Sequence, residues 1–298
     1  MLKSNNPDQG INTETFDFLR THFTDQGNQL YARDRREPIK HLSSMDSKAY
    51  NFSPWNDYLE ENICKWGFDM LKFKELTKGT HMLEFGCSIF KRFKILKTLG
   101  CSTETMSSFL TSVGDGYKRN PYHNSVHGAD VANGCGYILE NNNFKDHYNE
   151  LEISCVIISA LVHDLGHPGV NNAFLVASNS QEAIIYNDQS VLENFHASAF
   201  FNILKKSDCN ILNNLQDKDY RFFRKLSINL ILDTDLTKHF VLVTQFKNSM
   251  DSLNMKEDGH KHLSLSMCLK CADVAHGAKP LALHKKWSRR VLEEFFLQ

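Results

Sequence analysis

Beyond Asn51, apolar residues recur at spacings of three and four, and no stretch alternates apolar and polar residues over a useful strand length. The pattern predicts an all-α fold, a compact multi-helix domain without internal repeats. Pro54 and Trp55 open a segment in which Tyr58, Leu59, Ile63, Trp66, Phe68 and Leu71 recur at near-helical spacing. Gly79, Gly86 and Gly100 then punctuate the chain into short helices, one carrying Phe90, Phe93, Ile95 and Leu96, the next Met106, Phe109 and Leu110. Ser102 to Thr105 reads as a helix start. Residues 1–45 are polar with isolated apolar positions, so they are expected to form a mobile N-terminal extension to a domain spanning 46–298.

Asn120-Pro121 signals another helix start, with Asn as cap and Pro at the first helical position. The helix so begun would carry His123 and His127 on one face. Glu150 to Val162 is apolar nearly all round, as expected of a helix at a domain centre, and it delivers His163 and Asp164 inward at its end. A buried carboxylate there needs a positive neighbour. Ser190-Val191-Leu192-Glu193 fits a capping box, leaving Glu193 with a structural and a functional reading. The apolar run Leu226 to Leu232 ends at Asp233-Thr234-Asp235. Met250 to His262 is polar and reads as a surface loop. Leu263 to Ala275 returns to helix and brings Asp273 inward, ahead of Gly277 and Pro280. A final helix holds Trp287, Val291, Leu292, Phe295 and Phe296.

Composition narrows the partners. With 298 residues, 41% apolar and 23% charged, the chain can bury a sizeable core. A formal charge of -1 and scattered lysine pairs give no basic stripe, which excludes nucleic acid as the expected partner. No apolar run approaches the roughly 20 residues that cross a bilayer. Eight scattered cysteines fit reduced thiols and a cytoplasmic location, and Cys268-Leu-Lys-Cys271 lacks the second pair that a zinc ribbon needs.

His127, His163, Asp164 and Asp273 form a candidate shell for Zn²⁺ with positions open to water and substrate. Asp164 has two oxygens and can bridge to a second, harder ion, Mg²⁺ or Mn²⁺. His167, Glu193 and Thr234 would orient water around that second ion. Hydroxide held between two cations attacks phosphate esters in line, and His123, one turn from His127, is the candidate general acid.

At these residues the chain resembles the class I 3′,5′-cyclic nucleotide phosphodiesterases, a branch of the metal-dependent His-Asp phosphohydrolases. Five ordered motifs carry the resemblance: Tyr122-His123-Asn124-x-x-His127; His163-Asp164-x-x-His167-Pro168-Gly169; Tyr186-Asn187-Asp188-x-Ser190-Val191-Leu192-Glu193-Asn194; Thr234-Asp235-x-x-Lys238-His239; and Lys270-Cys271-Ala272-Asp273. The resemblance implies hydrolysis of cyclic AMP or cyclic GMP to the 5′-monophosphate by an all-helical domain. It also implies two divalent cations on the ligands named above, and His123 as proton donor, oriented by Glu193 or a nearby carboxylate. Tyr122, His123, Asp164, Asp273, Trp287, Val291 and Phe295 would contact the nucleotide, and a homodimer is left open. Three features depart from the family pattern: Phe195 stands where a histidine usually precedes His196, His276-Gly277 replaces Asn-Pro or His-Pro, and Gln298 comes too early to be the purine-binding glutamine. The catalytic domain is therefore expected to be C-terminally incomplete, with a face around Val291 and Phe295 left exposed. The alternative reading is a catalytically impaired relative that binds a nucleotide or a protein; another phosphohydrolase is a third.

Overall fold

The computed structural model describes residues 54–141, 143–250 and 254–298, all within the unit Asn51–Gln298. The extension expected over 1–45 lies outside the described residues. Among those described there are fourteen α-helices and no strand, in agreement with the all-α reading. The chain begins with α1 (Asn56–Asn62), α2 (Met70–Leu76), α3 (His81–Arg92), α4 (Ile95–Leu99) and α5 (Thr103–Gly116). Two central helices follow, α6 (Ser125–Glu140) and α7 (Glu150–Val162). The rest comprises α8 (Asn172–Ala177), α9 (Gln181–Ile185), α10 (Val191–Leu204), α11 (Asp217–Leu232), α12 (His239–Ser249), α13 (Asp258–Asp273) and α14 (Leu281–Leu297).

The helix at the centre has the bounds its composition suggested. Asn149 accepts the Glu152 N–H at 2.9 Å and Glu152 accepts the Asn149 N–H at 2.8 Å, closing a capping box at the start of α7. From Ser154 to Val162 every residue is buried, and α7 packs against α6 and α11. Helix α6 is also buried on nearly all sides, which its small residues make feasible. A Cβ on Gly134 would come within 3.0 Å of the Ala272 Cβ, so the missing atom lets α6 and α13 approach closely. These three helices set the positions of His127, His163, Asp164 and Asp273.

Several local readings are corrected. Gly86 does not break a helix; it lies inside α3, where a Cβ would meet the Leu110 side chain at 2.5 Å. The break falls later, at Lys94 in the left-handed region, which separates Phe93 from Ile95 and Leu96. The segment from Tyr58 to Leu71 is two helices, because Cys64 turns at positive φ and its N–H is held by the Asn133 side chain at 2.8 Å. Ser102 does cap α5, accepting the Thr105 N–H at 3.1 Å. The expected surface loop Met250–His262 is shorter than its polarity suggested, since α13 starts at Asp258. That helix ends at Asp273, not Ala275; a 3₁₀ turn over Ala275–Ala278 leads into α14. All eight cysteines are free, and no helix among the described residues is long and apolar enough to cross a membrane.

Candidate metal centre and its proton donor

His163 and Asp164 sit where α7 ends. The turn closes with Leu165 N–H to Val162 O and His167 N–H to Asp164 O, both 3.0 Å, and Gly166 at φ 79° supplies the left-handed step. His127 comes from the first turn of α6 and Asp273 from the last residue of α13. The four side chains converge. His127 Nε2 lies 3.0 Å from Asp273 Oδ1 and 3.3 Å from Asp164 Oδ2; His163 Nε2 lies 3.2 Å from Asp164 Oδ2 and 3.3 Å from Asp273 Oδ1.

Their chemistry fits a divalent cation. His163 Nδ1 donates to the Ala160 carbonyl at 2.9 Å, which leaves a lone pair on Nε2 in the neutral ring. That Nε2 is buried without a well-formed hydrogen bond, although two carboxylate oxygens lie near it. One ligand atom from each of the four residues falls within 4.8 Å of the other three, as two imidazoles and two carboxylates around one ion require. The carboxylates must be neutralised. Burial disfavours charge on both rings, yet Asp164 and Asp273 outweigh it and raise the pKa values of His127 and His163. Burial likewise disfavours charge on the two carboxyls, but the neighbouring rings hold both below the usual carboxylate range. Protons and a cation therefore compete for the same donors.

His123 is not on α6. Asn124 is the cap, accepting the Val126 N–H at 2.9 Å, and His123 precedes it in a turn. Asn120, read as a cap, acts instead as a clamp: its Nδ2 donates to the His123 carbonyl at 2.9 Å and the His167 carbonyl at 2.8 Å. The clamp joins the two turns, and the rings of His123 and His167 stack with centroids 3.9 Å apart. His167 Nδ1 accepts the Gly169 N–H at 3.0 Å.

The carboxylate that orients His123 is Glu294 on α14, not Glu193. Glu294 accepts the Tyr122 N–H at 2.8 Å and the His123 N–H at 2.9 Å through Oε2, while its Oε1 accepts from His123 Nδ1. It is 3% exposed. Burial alone would raise its pKa, but these donors lower it, so the carboxylate is charged. Its place on the helix was a usable signal, since Glu294 falls seven residues after Trp287 and shares its buried face.

Glu193 is held by the Asn172 amide at 3.0 and 3.3 Å, and burial raises its pKa to about 7. No capping box forms, because Ser190 adopts φ 44° and its hydroxyl donates to Asp235 at 2.7 Å. The Thr234 hydroxyl turns back to the Ile231 carbonyl at 2.7 Å, and Lys270, 2% exposed, donates to the carbonyls of Asp233, Thr234 and Asp235. His196 was passed over in the motif reading. It is 1% exposed and directs Nε2 towards Asp164 Oδ1, 3.7 Å away. The positive neighbours expected beside Asp164 are thus His127 and His163, whereas burial pushes the His196 pKa down to about 4 and keeps that ring neutral. Tyr122 and Trp287 are buried behind His127, with ring centroids 4.6 and 6.1 Å from it. Val291 is half-buried, and Phe295 is 60% exposed beside the exposed Leu292, Phe296 and Leu297.

Fold and site together define an all-helical domain built around a buried cluster of two histidines and two aspartates that could hold a divalent cation, with a histidine–glutamate pair alongside. The model of the 3′5′-cyclic nucleotide phosphodiesterase family matches residues 122–298. Curated relatives include the probable 3′,5′-cyclic phosphodiesterase pde-1 of Caenorhabditis elegans, 35% identical over 242 residues, which are 80% of this chain and 36% of the relative. The high affinity cAMP-specific and IBMX-insensitive 3′,5′-cyclic phosphodiesterase 8A of Homo sapiens is 35% identical over 259 residues, 80% of this chain and 31% of its own. The dual specificity calcium/calmodulin-dependent 3′,5′-cyclic nucleotide phosphodiesterase 1 of Drosophila melanogaster is 37% identical over 243 residues, 80% and 29%. The chain belongs to the 3′5′-cyclic nucleotide phosphodiesterase family. It spans about a third of the length of these relatives.

Proposed function

We propose that this chain hydrolyses 3′,5′-cyclic AMP or cyclic GMP to the nucleoside 5′-monophosphate, with His123 protonating the departing 3′ oxygen. The observation that carries the reading is the His123–Glu294 pair beside the His127, His163, Asp164 and Asp273 cluster. Zn²⁺ on those four donors and Mg²⁺ or Mn²⁺ on the far oxygen of Asp164 would neutralise phosphate charge and supply a nucleophile from water at neutral pH. Glu294 accepts the Nδ1 proton of His123 and so fixes the ring with Nε2 as the nitrogen that passes a proton to the departing oxygen. His167, stacked on His123, keeps that ring from rotating and directs its own Nε2–H to water. Glu193 and Thr234 serve the same water layer. The nucleotide rests on the α14 side towards Val291 and Phe295, over a floor made by Tyr122 and Trp287. The names of the relatives include a cAMP-specific and a dual-specificity enzyme, so both nucleotides are substrates to test.

Purified protein is assayed with Zn²⁺ and Mg²⁺ against each cyclic nucleotide, reading the 5′-monophosphate, beside His123→Ala. Release of 5′-monophosphate that His123→Ala abolishes supports the proposal. Cations bound without turnover of either nucleotide refutes it and favours a binding-only relative.

A further inference from the structure

We propose that Asn120 is a positioning residue for the proton donor, fixing the His123 ring against His167 through the main chain of both; the inference rests on the hydrolytic reading above. His123 lies in the turn between α5 and α6, outside either helix, and its side chain is 25% exposed. A general acid must come within about 2.6–3.2 Å of the oxygen it protonates. Glu294 holds one edge of the ring, at Nδ1, together with the Tyr122 and His123 N–H groups. A single hydrogen bond at one edge still lets a ring pivot about that contact. The stack on His167, with planes 12° from parallel, removes the pivot. It does so only while two segments far apart in the chain keep their backbones in step.

Asn120 sets that spacing. Its Nδ2 donates to the His123 carbonyl at 2.9 Å and to the His167 carbonyl, 47 residues along the chain, at 2.8 Å. A planar carboxamide holds its two N–H bonds at a fixed angle, so the two carbonyl oxygens are fixed relative to each other. The carboxamide oxygen fills the space beside Gly169, where a Cβ would come within 3.1 Å of Asn120 Oδ1. Gly169, at φ 88°, also gives its N–H to His167 Nδ1 at 3.0 Å. The Asn120 side chain is thus seated in the turn that carries His167 and reaches the turn that carries His123. Its own main chain is secured separately, since the Asn124 side chain donates to the Asn120 carbonyl at 2.8 Å. Altering the Asn120 side chain therefore keeps that tie and the Glu294 bonds, and releases the link between the two histidine carbonyls.

The test compares the full chain with Asn120→Asp, which keeps the shape but offers acceptors to two carbonyls and cannot donate. With Zn²⁺ and Mg²⁺ present, kcat for cyclic AMP is expected to fall at least about tenfold with KM within about threefold, because a displaced acid weakens the transition state and not substrate binding. A nitrophenyl phosphodiester, whose leaving group needs no proton, should lose less than about threefold. In proton nuclear magnetic resonance spectra, the histidine ring signals identified through His123→Gln and His167→Gln should be shifted upfield by the mutual stack, and should return towards free imidazole in Asn120→Asp. Equal losses on the two substrates, a kcat loss for cyclic AMP under about tenfold, or unmoved ring signals overturn the inference and leave the hydrolytic reading standing. An unaltered chain that hydrolyses neither substrate removes the hydrolytic reading and the proton-donor role with it. Should Asn120→Asp fail to fold by circular dichroism, Asn120→Ala carries both measurements, and failure of both variants to fold overturns the inference by making Asn120 a structural residue.

Discussion

Replacing Glu294 by glutamine tests the proton donor with almost no change in shape. The carboxamide oxygen can keep the two backbone bonds that Glu294 makes at 2.8 and 2.9 Å. The amide NH₂ must then face His123 Nδ1, which forces a lone pair onto that nitrogen and confines the remaining proton to a neutral ring, a far weaker acid. General acid catalysis contributes about 10²–10⁴-fold, equivalent to about 2.7–5.4 kcal/mol of barrier. The kcat for cyclic AMP is expected to fall by about that factor, with KM changing less than about threefold, because the interaction is made in the transition state. A nitrophenyl phosphodiester, whose leaving group needs no proton, should lose less than about tenfold. Glu294→Ala is a poorer probe, since it leaves two buried N–H groups unpaired at about 1–3 kcal/mol each. A Glu294→Gln enzyme with kcat within about twofold of the unaltered chain, or with equal losses on both substrates, refutes the assignment.

Asp273→Asn removes one of two carboxylates from the cluster, and Zn²⁺ affinity by competition with a chelating dye is expected to drop about 100-fold or more; affinity unchanged would dissolve the proposed centre. Because cation uptake displaces protons from His127 and His163, that affinity should rise with pH, and a flat profile across neutrality would contradict the competition. His81, 2% exposed against the Ser125 hydroxyl, has its pKa pushed down to about 4 by burial and then by Lys74. Its neutral form contributes stability above the unfolded value of about 6.5 that is lost as pH falls towards the folded value, about 3 kcal/mol in all. Urea titrations of His81→Leu should therefore lose less stability than the unaltered chain between those two pH values; parallel curves would show that His81 does not carry the effect. Gly128→Ala sets a gain in helix propensity of about 1 kcal/mol against a Cβ 2.5 Å from the Tyr117 hydroxyl and 3.0 Å from the Leu161 carbonyl. Overpacking should win by about 1–3 kcal/mol, and a raised melting temperature would show that α6 and α7 can part freely.

The placement of His163 and Asp164 was legible because an apolar run of helical length ending in Gly166 can only be a buried helix with its last residues turned inward. Asp273 followed in the same way, and so did the all-helical class, since periodicity is a local property of the chain. Glu294 was not legible as a partner of His123. Its spacing from Trp287 marks it, rather than Glu293, as facing inward, but only the packing of α14 against the Tyr122–His123 turn makes it their partner. Glu193 shows the converse. Its spacing from Ser190 satisfies a capping rule, but Asn172 and Asp235 arrive from other segments and take both side chains. Asn120 carries a helix-start signal as strong as that of Asn124, and the proximity of the His167 carbonyl decides which one caps. The chain by itself determined which segments are helices and which donor types they carry. The tertiary structure decided which donors share an ion or a proton, because those pairings join groups up to 172 residues apart and depend on helix rotation and close approach, which local periodicity does not encode.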